Sequence, residues 1–301
     1  MKTIIGYIKG YFYETDKRVL ATVTMFTALL IFLNYHFGID DRIDDQQSFR
    51  ASFFGRAAIF FIAFGFSYLA YLLLTGRNYF HNRLFVILFM AAPFIFALKG
   101  ALTPALHFSN DGSVIISGTM FFTGRCCLSS LLLYYLLPGN YPVPISRSMA
   151  SAQRVMNWQP YIIMLLIMIP LIAAASTQPD FLRVYPKLKL ITDVGNINDL
   201  PWWKKLLFEL SYGSDFITIE LFFRGFLVLA FVKWAGKDAI LPMACFYCTI
   251  HFGKPLGECI SSYFGGMILG IVVYHTRSIL GGLMVHLGIA WLMEIGGYIG
   301  N

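Results

Sequence analysis

Long apolar runs separated by short polar breaks dominate this chain, and they predict membrane-crossing helices. The runs lie at about 19–37, 56–75, 84–100, 114–137, 160–176, 206–233, 239–252, 259–275 and 279–299. A helix rises about 1.5 Å per residue, so roughly 17–25 apolar residues cross the hydrocarbon core. In lipid each run must satisfy its own backbone polar groups, which a helix does internally. The pattern predicts an all-α, polytopic membrane helix bundle of about eight or nine transmembrane helices. The breaks carry turn chemistry, as in Thr75-Gly76, Asn110-Asp111-Gly112, Leu137-Pro138-Gly139-Asn140 and Gly253-Lys254-Pro255.

The same pattern divides the chain. Residues 1–176 hold five predicted spans and no catalytic motif, with 138–159 reading as a solvent loop. Residues 177–205 form the longest polar stretch, ending in Pro201-Trp202-Trp203-Lys204-Lys205. Paired tryptophans followed by lysines anchor a helix at the membrane interface. Residues 206–301 hold four closely spaced apolar segments, and their short loops predict one compact bundle of antiparallel neighbours. Gly265, Gly266, Gly270, Gly281, Gly282 and Gly288 suit close helix approach in lipid. Lys2, Lys9, Lys17 and Arg18 favour a cytoplasmic N-terminus. The first residues lack the apolar core of a signal peptide, so the first span is expected to act as the targeting signal.

Composition narrows the partners. Of 301 residues, 57% are hydrophobic and 13% charged, against roughly 25% charged in a soluble domain. The net charge of +7 lies largely in loops flanking the spans, where it meets anionic headgroups. Membrane lipids, and no nucleic acid, are the partners this implies. A multi-pass protein of a plasma membrane, on the bacterial inner-membrane pattern, is the expected location. The five cysteines form no extracellular disulfide framework and read as small buried hydrophobes. Cys245, Cys248 and His251 fall at i, i+3 and i+6, which admits a metal reading, but inside a span packing is the simpler one. Arg125 is read as snorkelling or paired, and His36, His81, His107 and His275 as interfacial.

Charges within the apolar runs single out a chemistry. The stretch 215–233 carries Glu220 and Arg224, each costing a few kcal/mol or more at the bilayer centre. Four residues apart on an α-helix, they share a face and can form a structural ion pair. Two later apolar segments each carry a histidine, His251 and His286. A carboxylate, an arginine and two imidazoles on successive membrane segments tip the reading towards a reaction centre. A glutamate in an apolar pocket can take and return a proton. Neutral imidazoles can hold a water or a divalent metal.

Three motifs then appear in order. IELFFRGFL, around Glu220 and Arg224, resembles the first motif of the CAAX-protease and bacteriocin-processing family of intramembrane peptidases, usually Glu-Glu-x-x-x-Arg and then Gly. YCTIHFG, Tyr247 to Gly253, resembles the second, an aromatic residue four positions before a histidine. SILGGLMVHLGIA resembles the third, in which a histidine is followed four residues later by Asn or Asp. The block from about 206 to 299 covers the family's core, and the upstream spans carry no motif. Two positions depart from the pattern. Ile219 stands where the family has the first glutamate, the one thought to act on water, and Ala290 where it has Asn or Asp. Glu258 and Glu294 are further carboxylates that could supply missing function or simply be solvated at the interface.

The resemblance implies an intramembrane endopeptidase acting on a membrane-associated protein or peptide, through water activated by glutamate and histidine. Glu220, Arg224, His251 and His286 are the implied catalytic residues. A divalent metal such as Zn²⁺, held by Glu220, His251 and His286, is implied by the resemblance alone; the His-Glu-x-x-His helix of soluble zinc proteases is absent. Ile219 and Ala290 keep open a catalytically altered member that binds a partner in the membrane, as in bacteriocin immunity. A transporter relaying protons through Glu, Arg and His is a third reading.

Overall fold

The computed structural model describes residues 2–45, 48–101, 158–190 and 200–300. The predicted span at 114–137, with Arg125, Cys126 and Cys127, lies outside these residues, as do His107, most of the loop at 138–159 and positions 191–199. In chain order the helices are α1 (Lys2–Glu14), α2 (Lys17–Phe37), α3 (Ile39–Asp44), α4 (Phe49–Thr75), α5 (Arg83–Ala101), α6 (Gln159–Ala175), α7 (Pro179–Val184) and α8 (Trp202–Glu220). A π-helix, Leu221–Ala230, follows directly; then come α9 (Val232–Ala235), α10 (Ile240–Thr249), α11 (Leu256–Thr276) and α12 (Leu280–Gly300). Short 3₁₀ turns stand at Lys187–Leu190 and Gly236–Ala239, and no strand occurs among the described residues. The protein is all-α.

Helices α2, α4, α5, α11 and α12 are long and apolar enough to cross a membrane, and α6 is a shorter apolar helix. The predicted span at 239–252 turns out differently. Its helix, α10, has ten residues and every one is buried. A helix of that length reaches only about 15 Å, half the hydrocarbon core, so it is a core element and not a span. The polar opening of the chain also holds a helix that periodicity did not announce. α1 buries Ile4 and Tyr11, and its Tyr7 stacks on His275 with ring centroids 4.3 Å apart. Local chemistry sets the helix ends. Asp16 caps α2 by accepting the Arg18 N–H at 2.8 Å, and Gly38 ends it with φ of 60°.

The chain forms two compact units. One comprises the described residues up to 101 together with 222–279, and the other comprises 158–221 with 280–300. The segment 206–299, expected as one bundle, is thus shared between them.

In the first unit α10 packs against α2, α4 and α11. Aromatic rings fill its surroundings, with Phe246 of α10 lying 4.9 Å from Phe60 and 5.8 Å from Phe64. Two glycines of α11 let that helix lie directly on α10. A Cβ at Gly266 would stand 2.8 Å from the Tyr247 ring, and one at Gly270 would stand 2.6 Å from the Met243 methyl. At one end of this unit Asp238, itself buried, accepts hydrogen bonds from Arg77 and from the Tyr79 hydroxyl, each at 2.5 Å.

In the second unit α12 packs against α6, α7 and α8. Gly288 admits Leu165 of α6, whose methyl would meet an added Cβ at 2.6 Å. Small residues again set the approach of the helices, as the sequence pattern predicts.

Candidate active site

α8 ends on Glu220, which is fully buried. In the same unit α12 presents His286, and Nδ1 of its ring lies 2.8 Å from Glu220 Oε1. With the carboxylate ionised and the ring neutral, Nδ1 carries the hydrogen and Nε2 keeps the lone pair. Phe216, one helical turn before Glu220, sets its edge against the His286 ring at 4.7 Å. The pair therefore sits in an apolar frame where its hydrogen bond is stronger than in water.

In the other unit the π-helix carries Arg224, also fully buried. Its guanidinium carbon lies 4.2 Å from the centroid of the Tyr247 ring, a cation–π contact. Tyr247 in turn touches His251, with ring centroids 4.7 Å apart. The His251 Nδ1 lies 3.0 Å from the Tyr247 carbonyl oxygen. A carbonyl cannot donate, so Nδ1 of this ring carries a hydrogen, and in the neutral ring Nε2 keeps the lone pair. His251 stands on the tight turn that follows α10, with its own N–H donating to Cys248 O at 3.0 Å.

The four residues singled out from sequence thus appear as two clusters, Glu220 with His286 and Arg224 with Tyr247 and His251. The α-helical i, i+4 alignment assumed for Glu220 and Arg224 ends at Glu220, because the next ten residues are π-helical. Both histidines are anchored through Nδ1, an arrangement that metal-binding histidines also use. Among the described residues, however, no group of three or more His, Cys, Asp and Glu side chains is close enough to hold a metal ion. Cys245 and Cys248 are both buried in α10.

The two extra carboxylates have structural partners. Glu258 lies 3.4 Å from the Lys254 ammonium. Glu294 is buried, not solvated, and accepts the backbone N–H of Lys187 at 2.8 Å. Nearby, the Tyr298 hydroxyl donates to Glu209 at 3.1 Å. Sequence reasoning passed over Phe216 and Glu209. The first was signalled only by its place four residues before Glu220, the second by a lone carboxylate in an apolar run.

In a comparison with families of known proteins, residues 201–292 match Rce1-like, the type II CAAX prenyl endopeptidase Rce1-like family. Residues 201–292 are thus similar to this family. The match spans α8, the π-helix, α9, α10, α11 and most of α12, so it contains both side-chain clusters. Comparison with curated proteins and with solved structures finds no match. This match, together with five helices apolar enough to cross a bilayer, supports an integral membrane protein.

The two departures from the CAAX-family pattern lie in one place. Ala290 is part of a buried apolar cluster with Leu188, Leu200, Phe208, Tyr212 and Phe216, and Ile219 packs against it. The apolar residue at 219 is therefore matched by apolar surroundings. The neighbouring position, Glu220, carries the carboxylate and bonds His286.

Proposed function

We propose that this protein is an intramembrane endopeptidase whose proton-handling pair is Glu220 and His286. The observation that carries this reading is the 2.8 Å hydrogen bond between buried Glu220 and partly buried His286, inside the segment matched by the CAAX endopeptidase family. In the proposed reaction Glu220 holds the imidazole by Nδ1, and Nε2 takes a proton from the attacking water. The imidazolium that forms is stabilised by the adjacent carboxylate and returns the proton to the leaving amine. Arg224, fixed on the Tyr247 ring, is assigned a charge role, towards an oxyanion or a substrate carboxylate. His251, held through Nδ1, is assigned in its neutral form to accept a hydrogen bond from water or from the substrate amide.

The proposed substrate is a membrane-associated peptide, with a prenylated CAAX terminus as the first to try because the family is described by that activity. A bacterial plasma membrane suits the compact loops. A divalent metal is implied by the resemblance alone, and its chemistry would be to lower the pKa of a bound water. Since no three His, Cys, Asp or Glu side chains come together among the described residues, no step is assigned to it. Metal analysis of the purified protein, with and without phenanthroline, tests that point directly.

The decisive assay compares cleavage of a prenylated CAAX peptide, and of the host membrane proteome, by wild type and Glu220→Gln. New termini that disappear in the variant support the peptidase. Identical termini at equal protein levels remove it. A second reading is favoured by the shared apolar setting of Ile219 and Ala290: a member that binds a membrane partner without cutting it. It expects a partner that co-purifies equally with wild type and His286→Ala, and no terminus that depends on Glu220.

A further inference from the structure

The turn that carries His251 is bracketed by two thiols. Cys248 lies near the end of α10 and Cys259 in the first turn of α11. Their sulfurs are 3.9 Å apart, and both are free and buried. The Cys248 thiol donates to the Cys259 carbonyl at 3.4 Å, and the Cys259 thiol to the Cys248 carbonyl at 3.9 Å. This reciprocal placement brings the two side chains face to face. Packing explains Cys245, which accepts from the Thr27 hydroxyl at 3.2 Å; it does not explain two sulfurs aimed at each other.

The surroundings hold that arrangement. The Tyr35 hydroxyl donates to Lys254 O at 2.5 Å, and Lys254 is 3.4 Å from Glu258. Gly253 has φ of +74°, and the Asp40 carboxylate would stand 2.5 Å from any Cβ there. The sulfurs are therefore fixed at a separation from which a bond of about 2.05 Å needs an approach of only about 1.9 Å. The Cys248 carbonyl also accepts the His251 N–H, so the pair is bonded directly to that residue's backbone.

We propose that Cys248 and Cys259 form a redox pair, oxidised by a peroxide to a disulfide that braces the turn carrying His251. Hydrogen peroxide, small and uncharged, is the oxidant suited to buried thiols. One cysteine sulfur attacks a peroxide oxygen, the O–O bond breaks, and water leaves with a sulfenic acid formed. The second sulfur attacks the sulfenic sulfur, the S–O bond breaks, and a second water leaves with the disulfide formed. Two thiols are oxidised and one peroxide is reduced to two waters. A dithiol reverses the reaction. This inference does not depend on the peptidase reading.

The test uses the full chain in detergent micelles, treated with hydrogen peroxide, alkylated with N-ethylmaleimide, digested and weighed. The expected product is a peptide pair joined at 248 and 259, lighter by two hydrogens and separated by dithiothreitol. Amides of residues 249–258 should exchange roughly tenfold more slowly in the oxidised form. Cys245→Ser should keep the cross-link, and Cys248→Ser or Cys248→Ala should lose it. Recovery of both thiols as maleimide adducts after peroxide and denaturation would overturn the proposal. So would a cross-link from either cysteine to Cys126 or Cys127. The wild-type protein alone decides, so a variant that fails to fold does not leave the question open, and no substrate is involved.

Discussion

Glu220 and His286 stand 66 positions apart in the chain and 2.8 Å apart in the fold. If they act as one proton-handling unit, their losses should not add. Glu220→Gln and His286→Ala are each expected to lower kcat by about 10²–10⁴-fold, and the double variant to fall little further. A peptide-cleavage assay in micelles, run on all three variants at matched folding, checks this. Additive losses would mean that the two side chains act separately. Ile219 makes a second residue-scale case. It packs against an apolar cluster that includes Ala290, so Ile219→Glu should cost about 1–3 kcal/mol by burying an unpaired polar group. Adding Ala290→Asn should recover part of that loss, as read from thermal unfolding. The sequence already singled out Glu220 and His286 as candidates through the motifs around them. It could not disclose that Ile219 and Ala290 share one apolar setting, because two positions 71 residues apart (290 − 219) carry no local mark of contact.

Helix α10 determines the surroundings of His251, and glycine lets its neighbour reach it. The close approach of α11 at Gly266 presses on Tyr247, the ring that carries Arg224 and touches His251. Gly266→Ala should therefore cost about 1–3 kcal/mol of stability through overpacking. It should also reduce activity while leaving Glu220 and His286 untouched. The same change at Gly265, which meets nothing within 4 Å, serves as the control. Thermal unfolding and the cleavage assay together separate the two positions. Apolar periodicity foretold α2, α4, α5, α11 and α12 well, since each is long enough to be read as a span. It over-read α10. A short apolar run has the same composition whether it faces lipid or is enclosed by other helices, and only tertiary packing decides. The π-helix at 221–230 was equally silent, because its residues form an ordinary apolar helical run.

At the scale of the molecule, composition was the most informative signal. A chain with 13% charged residues and repeated apolar runs has lipid as its solvent. The protein is expected to stay with membranes after alkaline carbonate extraction, and appearance in the supernatant would contradict the assignment. Hydrogen exchange in micelles should find its slowest amides in α10, whose ten residues are all buried. Faster exchange there than in α2 would show that the first unit is not organised around it. The division of 206–299 between two compact units was not legible, because short loops suggest neighbours and say nothing of which contacts outnumber others.

The tethering of the two imidazoles gives the site a spectroscopic identity. Both His251 and His286 are held through Nδ1, one by a backbone carbonyl and one by a carboxylate. Free histidine in water prefers the opposite tautomer. In a sample enriched with heavy nitrogen at histidine, these two rings should stand apart from exposed ones such as His275. Their resonances would report whether the site is intact in any detergent, lipid or variant, before a single substrate has been tried.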